Sequence, residues 1–294
     1  MNSFEHPAMA THYHLNFIED ENVYADSMAK ECFNRIDELE TKLSRFIPDS
    51  DISRINAMKA DQELMIDIET YECLKMAIEI NQWTNGAFDI GVGEFMNIFR
   101  GYKEGILTLS EQKNALKQAL EEKVAGSIYL DPEEHKIYCI KPGIKFDLGA
   151  LGKGYAIDVI CEMVKENKFR NFSISASDST VSVHQDGKHD SAFNYKLTAE
   201  EDEVEVVLRG ESVSASGTYW QGNHIFDPRT ASNAVDLKFD RIWVCSDSAA
   251  MSDAFSTALF LMNEEEVETM VYSCDAIKWA AYSQKGKIIQ LNKT

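Results

Sequence analysis

The segment Asp147-Leu148-Gly149-Ala150-Leu151-Gly152-Lys153-Gly154-Tyr155-Ala156-Ile157-Asp158 sets three glycines and a lysine between two aspartates. Backbone N–H groups in such a turn can come close to a phosphate, and the start of the helix that follows, Tyr155 to Val164, adds positive potential. Asp147 is placed to hold a cation or a polar ligand group, and Lys153 to neutralise an anion. The same residues also describe a strand-to-helix connection whose glycines serve only close packing. The spacing matches neither the P-loop nor the dinucleotide fingerprint, so context has to decide.

Four further clusters supply that context. Asp253 and Thr257 lie four apart, on one face of an apolar helix that includes Ala249, Ala250, Met251, Ala254, Ala258, Leu259 and Phe260. A carboxylate there is costly unless something compensates it. A hard cation would do so, and Asp with a Thr hydroxyl suits magnesium. A structural cap or ion pair is the alternative. Ser216-Gly217-Thr218-Tyr219 precedes His224-Ile225-Phe226-Asp227-Pro228-Arg229-Thr230, a polar set stiffened by proline. It is either a reactive loop or a turn with an Asp cap and a half-buried histidine. Thr84-Asn85-Gly86-Ala87-Phe88-Asp89 follows a helix. It reads as a glycine C-cap or as a turn whose backbone and Phe88 line a flat aromatic ligand. In Ser44 to Asn56, Ser50 is a ready N-cap for a short helix.

Periodicity supplies the elements that must carry these residues. Tyr13 to Ile18 alternates like a strand. Helices are expected over Ala25–Phe46, near Ile52–Met58, over Tyr71–Trp83 with Thr70 as cap, and over Leu109–Lys123. Gly126–Leu130 and Lys136–Ile140 form a hairpin around Asp131-Pro132. After the glycine turn come short β-runs: Phe172–Ser175, Tyr195–Thr198, Val204–Leu208, Ser212–Ser216 and His224–Phe226. A buried strand over Leu237–Cys245 leads to a helix over Ser246–Met262, capped by Ser246 or Asp247, and then to a helix over Glu264–Cys274. Strands at Lys278–Tyr282 and Lys287–Leu291 close the chain. Strands and helices mix without strict βαβ alternation, which predicts an α+β fold. No Pro/Ser-rich linker divides the sequence, so one domain over residues 1–294 is expected.

The 294 residues are 44% hydrophobic, enough for a large core. The formal net charge of −20 repels nucleic acid and anionic membranes. It also repels a phosphorylated ligand, so an anion site needs a local cation. The six cysteines are scattered without a CxxC pair, which argues against a metal cluster or a disulfide framework. No segment has the length and apolarity of a membrane span. The polar start carries no signal-peptide pattern. That implies a cytoplasmic chain as it stands, or a periplasmic or membrane-anchored one if a leader has been removed.

Taken together and in order, the five clusters resemble one family, the ApbE-type FAD:protein FMN transferases. The resemblance runs from about Met9 to Leu261. It rests on Ser44…Ser50…Asn56, Gly86-Ala87-Phe88-Asp89, Asp147-Leu148-Gly149…Lys153-Gly154-Tyr155-Ala156…Asp158, Ser216-Gly217, His224 to Thr230, and Asp253-Ala254…Thr257-Ala258-Leu259. It implies a single α+β domain with a tunnelling-fold-like core. The implied activity moves the FMN part of FAD onto a Ser or Thr hydroxyl of an acceptor protein, such as an electron-transfer or reductase subunit, with magnesium as cofactor and AMP as product. By resemblance, Met9, Phe46, Ala87, Phe88, Asp89, Asp147, Lys153 and Phe226 contact FAD, while Asp253, Thr257 and the Ala150 carbonyl hold the metal. His224 and Asp227 are the candidates for the base. Two other outcomes use the same residues: FAD hydrolysis to FMN and AMP, and flavin binding without turnover.

The family pattern has glycines at three places where this sequence departs from it: Ala10 in Met9-Ala10-Thr11, the pair Ala176-Ser177, and Ala231. If those positions need a left-handed backbone, the added Cβ carries a cost.

Overall fold

The computed structural model describes residues 2–18, 24–185, 193–217, 226–233 and 238–292, apart from the side chains of Ala125, Phe226, Ser232 and Asn233. In chain order the elements are β1 (Asn2–Ala8), β2 (Thr11–Phe17), α1 (Ala25–Leu43), α2 (Asp51–Asn56), β3 (Gln62–Met65), α3 (Ile68–Trp83), α4 (Gly93–Lys103), α5 (Leu109–Ala125), β4 (Ser127–Asp131), β5 (Lys136–Lys141) and α6 (Gly152–Glu166). There follow β6 (Phe172–Ala176), β7 (Thr180–His184), β8 (Phe193–Thr198), β9 (Glu203–Leu208), β10 (Ser212–Gly217), β11 (Phe226–Asp227), β12 (Ser232–Asn233), β13 (Arg241–Ser246), α7 (Ala249–Phe260), α8 (Glu264–Ser273), β14 (Trp279–Gln284) and β15 (Lys287–Asn292). The expected mixture of helices and strands is what the chain adopts.

Contacts group these elements into two compact units: Met1–Glu40 with Ala150–Gly222 and Asp236–Thr294, and Thr41–Gly149 with Asn223–Val235. The first unit carries an eight-stranded sheet in the order β1-β2-β6-β7-β10-β13-β14-β15, antiparallel throughout. Strand β13 is buried from Ile242 to Ser246, so both of its faces are covered. Trp243 and Cys245 point to a cluster with Val181, Val183, Val213, Leu197 and Leu208, the last two from the β8–β9 hairpin. Helices α6 and α7 pack on each other and against β7. The second unit holds a three-stranded sheet, β3-β5-β4, and helices α2 to α5, with α4 and α5 joined through Phe95, Ile98, Leu116 and Ala119.

Several elements are absent from the sequence expectation. Strand β1 contains Pro7, which discourages a strand reading, but it lies at the sheet edge, where a missing N–H is tolerated. Its turn to β2, Met9-Ala10, has φ of +50° and +57°, the left-handed pair of a type I′ hairpin. Helix α4 starts at Gly93 after Val92, with no side-chain cap to announce it. Strands β3, β7 and β12 are short. Two cap assignments also move. Asp67, not Thr70, caps α3, and the Thr70 hydroxyl donates instead to Asp51 Oδ2 at 2.8 Å. Ser248, not Ser246 or Asp247, caps α7.

All six cysteines are free, and only Cys274 is not buried. Burial pushes the thiols of Cys32, Cys73, Cys161 and Cys245 up to about 12. At pH 8 the native protein should therefore release close to one equivalent of product from a thiol reagent, and six after denaturation. Among the described residues no helix is long and apolar enough to cross a membrane.

Candidate functional site

Helix α7 places Asp253 in the first unit with 5% of its surface exposed, among buried Ala249, Ala250, Ala254, Phe255 and Ala258. What compensates the carboxylate comes from the glycine turn. Lys153 Nζ lies 3.3 Å from Asp253 Oδ2, and the Gly154 N–H donates to the same oxygen at 3.4 Å. The approach needs a glycine, because a Cβ at position 154 would stand 2.3 Å from the Ala249 carbonyl oxygen. Asp158, one turn further along α6, holds the start of α7. It accepts from the Ser248 hydroxyl at 2.6 Å, the Ala249 N–H at 2.7 Å and the Ala250 N–H at 3.0 Å. A carboxylate there suits the positive end of a helix. Burial raises its pKa above the ordinary aspartate value, against those hydrogen bonds. Asp158→Ala should lower unfolding free energy by about 2 kcal/mol, read from urea denaturation, because buried N–H groups lose their acceptor.

Thr257 sits one turn beyond Asp253 and donates to the Asp253 carbonyl at 3.2 Å. The Ser216 hydroxyl, at the end of β10, lies 3.3 Å from Thr257 Oγ1 and 2.9 Å from Ser256 Oγ. Ala150 is in the turn that leads into α6, whose first residues reach Asp253. Among the described residues, no three His, Cys, Asp or Glu side chains converge to hold a metal. A cation here would rest on one carboxylate with hydroxyl and carbonyl oxygens, a hard donor set that fits magnesium. Met9 joins this neighbourhood through Tyr13, whose hydroxyl donates to the Met9 sulfur at 3.2 Å. Burial first, and then the charges of Asp253 and Glu40, push the Tyr13 phenol well above its usual range.

The second unit gathers Phe46, Ala87 to Asp89, Asp147 and Asp227. Asp147 is ion-paired with Arg45, and its Oδ1 accepts the Gly149 N–H at 2.9 Å. Arg45 also lies 4.3 Å from the Phe46 ring centre, and Arg100 lies 4.9 Å from it. These contacts steady an aromatic side chain that is 59% exposed. Asn56 donates to the Phe146 carbonyl at 2.9 Å and accepts its N–H at 2.6 Å, which fixes the backbone just before Asp147. The Asp147 N–H reaches the Ile90 carbonyl at 2.7 Å, joining it to the neighbouring turn. There Ala87 and Phe88 are buried, and Asp89 pairs with Lys123 and accepts the Gly91 N–H. The Phe88 backbone is engaged as well: its N–H donates to Thr84 Oγ1 at 3.1 Å and its carbonyl accepts from the Asn81 amide at 2.8 Å, so Phe88 shapes this turn from inside. Both Asp227 oxygens accept from the Arg229 side chain, at 3.0 and 2.9 Å. His224 lies outside the described residues. Phe226 is in β11, and its side chain is likewise outside them.

Arg45, Asn56, Asp158 and Arg229 were not singled out from the sequence as partners. Arg45 and Arg229 pair with Asp147 and Asp227, Asn56 fixes the backbone just before Asp147, and Asp158 holds the start of the helix that bears Asp253; only Arg229 has a local signal, the Asp-Pro-Arg spacing. The positions where the family pattern has glycine all sit on left-handed backbone except Ala176, the last residue of β6. Ala10, Ser177 and Ala231 have φ of +57°, +45° and +54°. Ser177 turns its side chain to use, with its hydroxyl 2.6 Å from Thr11 Oγ1. Ala10→Gly should stabilise the protein by about 1 kcal/mol in thermal or urea unfolding. Ala231→Gly should gain less, because Ala231 packs against the α4–α5 cluster.

The ApbE family profile matches residues 9–279. The FAD:protein FMN transferase of Vibrio cholerae is 23% identical over 279 residues, covering 88% of this chain and 80% of that one. The FAD:protein FMN transferase of Buchnera aphidicola is 26% identical over 251 residues, covering 80% and 73%. Among solved structures, the flavin transferase ApbE from Vibrio cholerae aligns with a TM-score of 0.80 at 18% identity, covering 98% of this chain and 96% of that one. The ApbE protein from Thermotoga maritima aligns with a TM-score of 0.80 at 21% identity and the same coverage.

Proposed function

The chain belongs to the ApbE family, and we propose that it is an FAD:protein FMN transferase that attaches the FMN part of FAD to a Ser or Thr hydroxyl of an acceptor protein and releases AMP. In this reaction the acceptor oxygen bonds to the flavin-side phosphorus of the pyrophosphate. The bond from that phosphorus to the bridging oxygen breaks, and its electron pair leaves with AMP. The hydroxyl proton passes to a base. Such chemistry depends on positioning and charge neutralisation more than on covalent work by the protein.

The observation that carries this reading is the nearly buried Asp253 carboxylate, which faces the glycine turn with Thr257 one helical turn beyond it. A magnesium ion held by Asp253, Thr257 and the Ala150 carbonyl would neutralise pyrophosphate oxygens and the departing AMP. Lys153 and the glycine-turn amides would offset part of the same negative charge. Met9, Phe46, Ala87 to Asp89, Asp147 and Phe226 are assigned to FAD. For the proton, His224 is preferred over Asp227, since both Asp227 oxygens are already taken by Arg229. Flavin binding without turnover would follow if the replaced glycines had cost the site its shape. The left-handed backbone kept at Ala10, Ser177 and Ala231 supports turnover instead, because the shape those glycines would serve persists.

The test is incubation with FAD, Mg²⁺ and candidate acceptor proteins, followed by denaturing electrophoresis. A fluorescent acceptor band that disappears when the acceptor Ser or Thr is changed to Ala is expected. AMP and free FMN without such a band would instead mean hydrolysis.

A further inference from the structure

Asp253 is compensated on one side only. Its Oδ2 faces the Lys153 ammonium and the Gly154 N–H, whereas its Oδ1 accepts no hydrogen bond from any described residue. The Lys153–Asp253 separation, 3.3 Å, exceeds the 2.7–2.9 Å of a tight charge-assisted hydrogen bond. Lysine reaches Asp253 on a flexible four-carbon stem, and its side chain keeps 22% exposure where that of Asp253 keeps 7%. The pair is thus a deeply set anion beside a cation that keeps more contact with solvent.

Building on the metal assignment above, we infer that the Lys153 ammonium is the resident counter-ion of Asp253, which a divalent cation must displace before it can bind. A divalent ion on Asp253 and an ammonium at the present distance would repel each other strongly in so buried a setting. Metal entry therefore turns Lys153 away from the carboxylate. The displaced ammonium, still tethered at the start of α6, is then directed to an anionic ligand at the glycine turn. Metal and pyrophosphate binding become mutually reinforcing, because each relieves the cost that the other would meet alone. In the metal-free protein, Lys153 keeps the Asp253 charge from standing uncompensated in an apolar helix.

The test measures Mn²⁺ binding without FAD, by titration calorimetry or by the electron paramagnetic resonance of free Mn²⁺, so that no turnover is involved. Lys153→Met and Lys153→Gln remove the competing cation and should bind Mn²⁺ about tenfold more tightly than the parent protein. Both should also melt at lower temperature without metal and regain the difference when Mn²⁺ is added. Lys153→Arg keeps the charge and should not show the gain. Equal or weaker Mn²⁺ binding by both neutral variants, with Asp253→Asn still abolishing binding, would overturn the displacement model and leave the metal assignment standing. Mn²⁺ binding that survives Asp253→Asn would instead remove the metal assignment on which it rests.

Discussion

Replacing Gly154 with valine should abolish flavin transfer and destabilise the protein by about 3 kcal/mol or more. The cause is a backbone collision. A Cβ at this position would lie 2.3 Å from the Ala249 carbonyl oxygen, 2.6 Å from its carbon and 2.7 Å from the Ala250 Cα. None of these belongs to a side chain that can rotate away, so α6 and α7 must separate. Separation costs more than packing. The Gly154 N–H and the Lys153 ammonium both reach Asp253 from this turn, and the Asp158 carboxylate holds the first turn of α7 from the same helix. Urea denaturation reads the stability loss, and AMP release from FAD reads the activity. Gly210→Ala is the control. A Cβ there meets nothing within 4 Å, so it should change stability by less than about 0.5 kcal/mol.

Asp253→Asn should lower kcat/KM for flavin transfer by about a thousandfold, close to 4 kcal/mol of transition-state stabilisation. The substitution keeps the side-chain shape and an oxygen for the Gly154 N–H, so the melting temperature should move little by comparison. It removes the charge that faces Lys153 and, on the proposed reading, the one anionic donor to the metal. Raising Mg²⁺ should recover only part of the loss. Near-normal kcat/KM in this variant would show that Asp253 serves structure alone, as the partner of Lys153.

The site residues and the residues that support them are unequally visible in the sequence. Asp253 and Thr257 could be read as one face because helical spacing is local and an aspartate stands out in an apolar run. Ser50 as the cap of α2 was visible for the same reason, since its partner Ser53 is three residues away. The supports of the site were hidden because they join distant positions. Arg45 pairs with Asp147 across 102 residues, and Asp158 caps a helix that begins 91 residues later. From sequence Asp158 only closes the glycine motif, whereas in the fold it positions the helix bearing Asp253. The β1–β2 hairpin was hidden by its own residues. Pro7 speaks against a strand, and Met9-Ala10 lacks the glycine that usually marks a left-handed turn. Helix α4 had no cap to signal its start.

The most direct measurement of the central claim is stoichiometry in a single sample: intact mass of the acceptor protein beside AMP quantified by chromatography, after reaction with FAD and Mg²⁺. One AMP for each acceptor molecule that gains one FMN, with both products lost together in Asp253→Asn, is the predicted result. Release of AMP with the acceptor mass unchanged, or transfer that proceeds undiminished in Asp253→Asn, would contradict it.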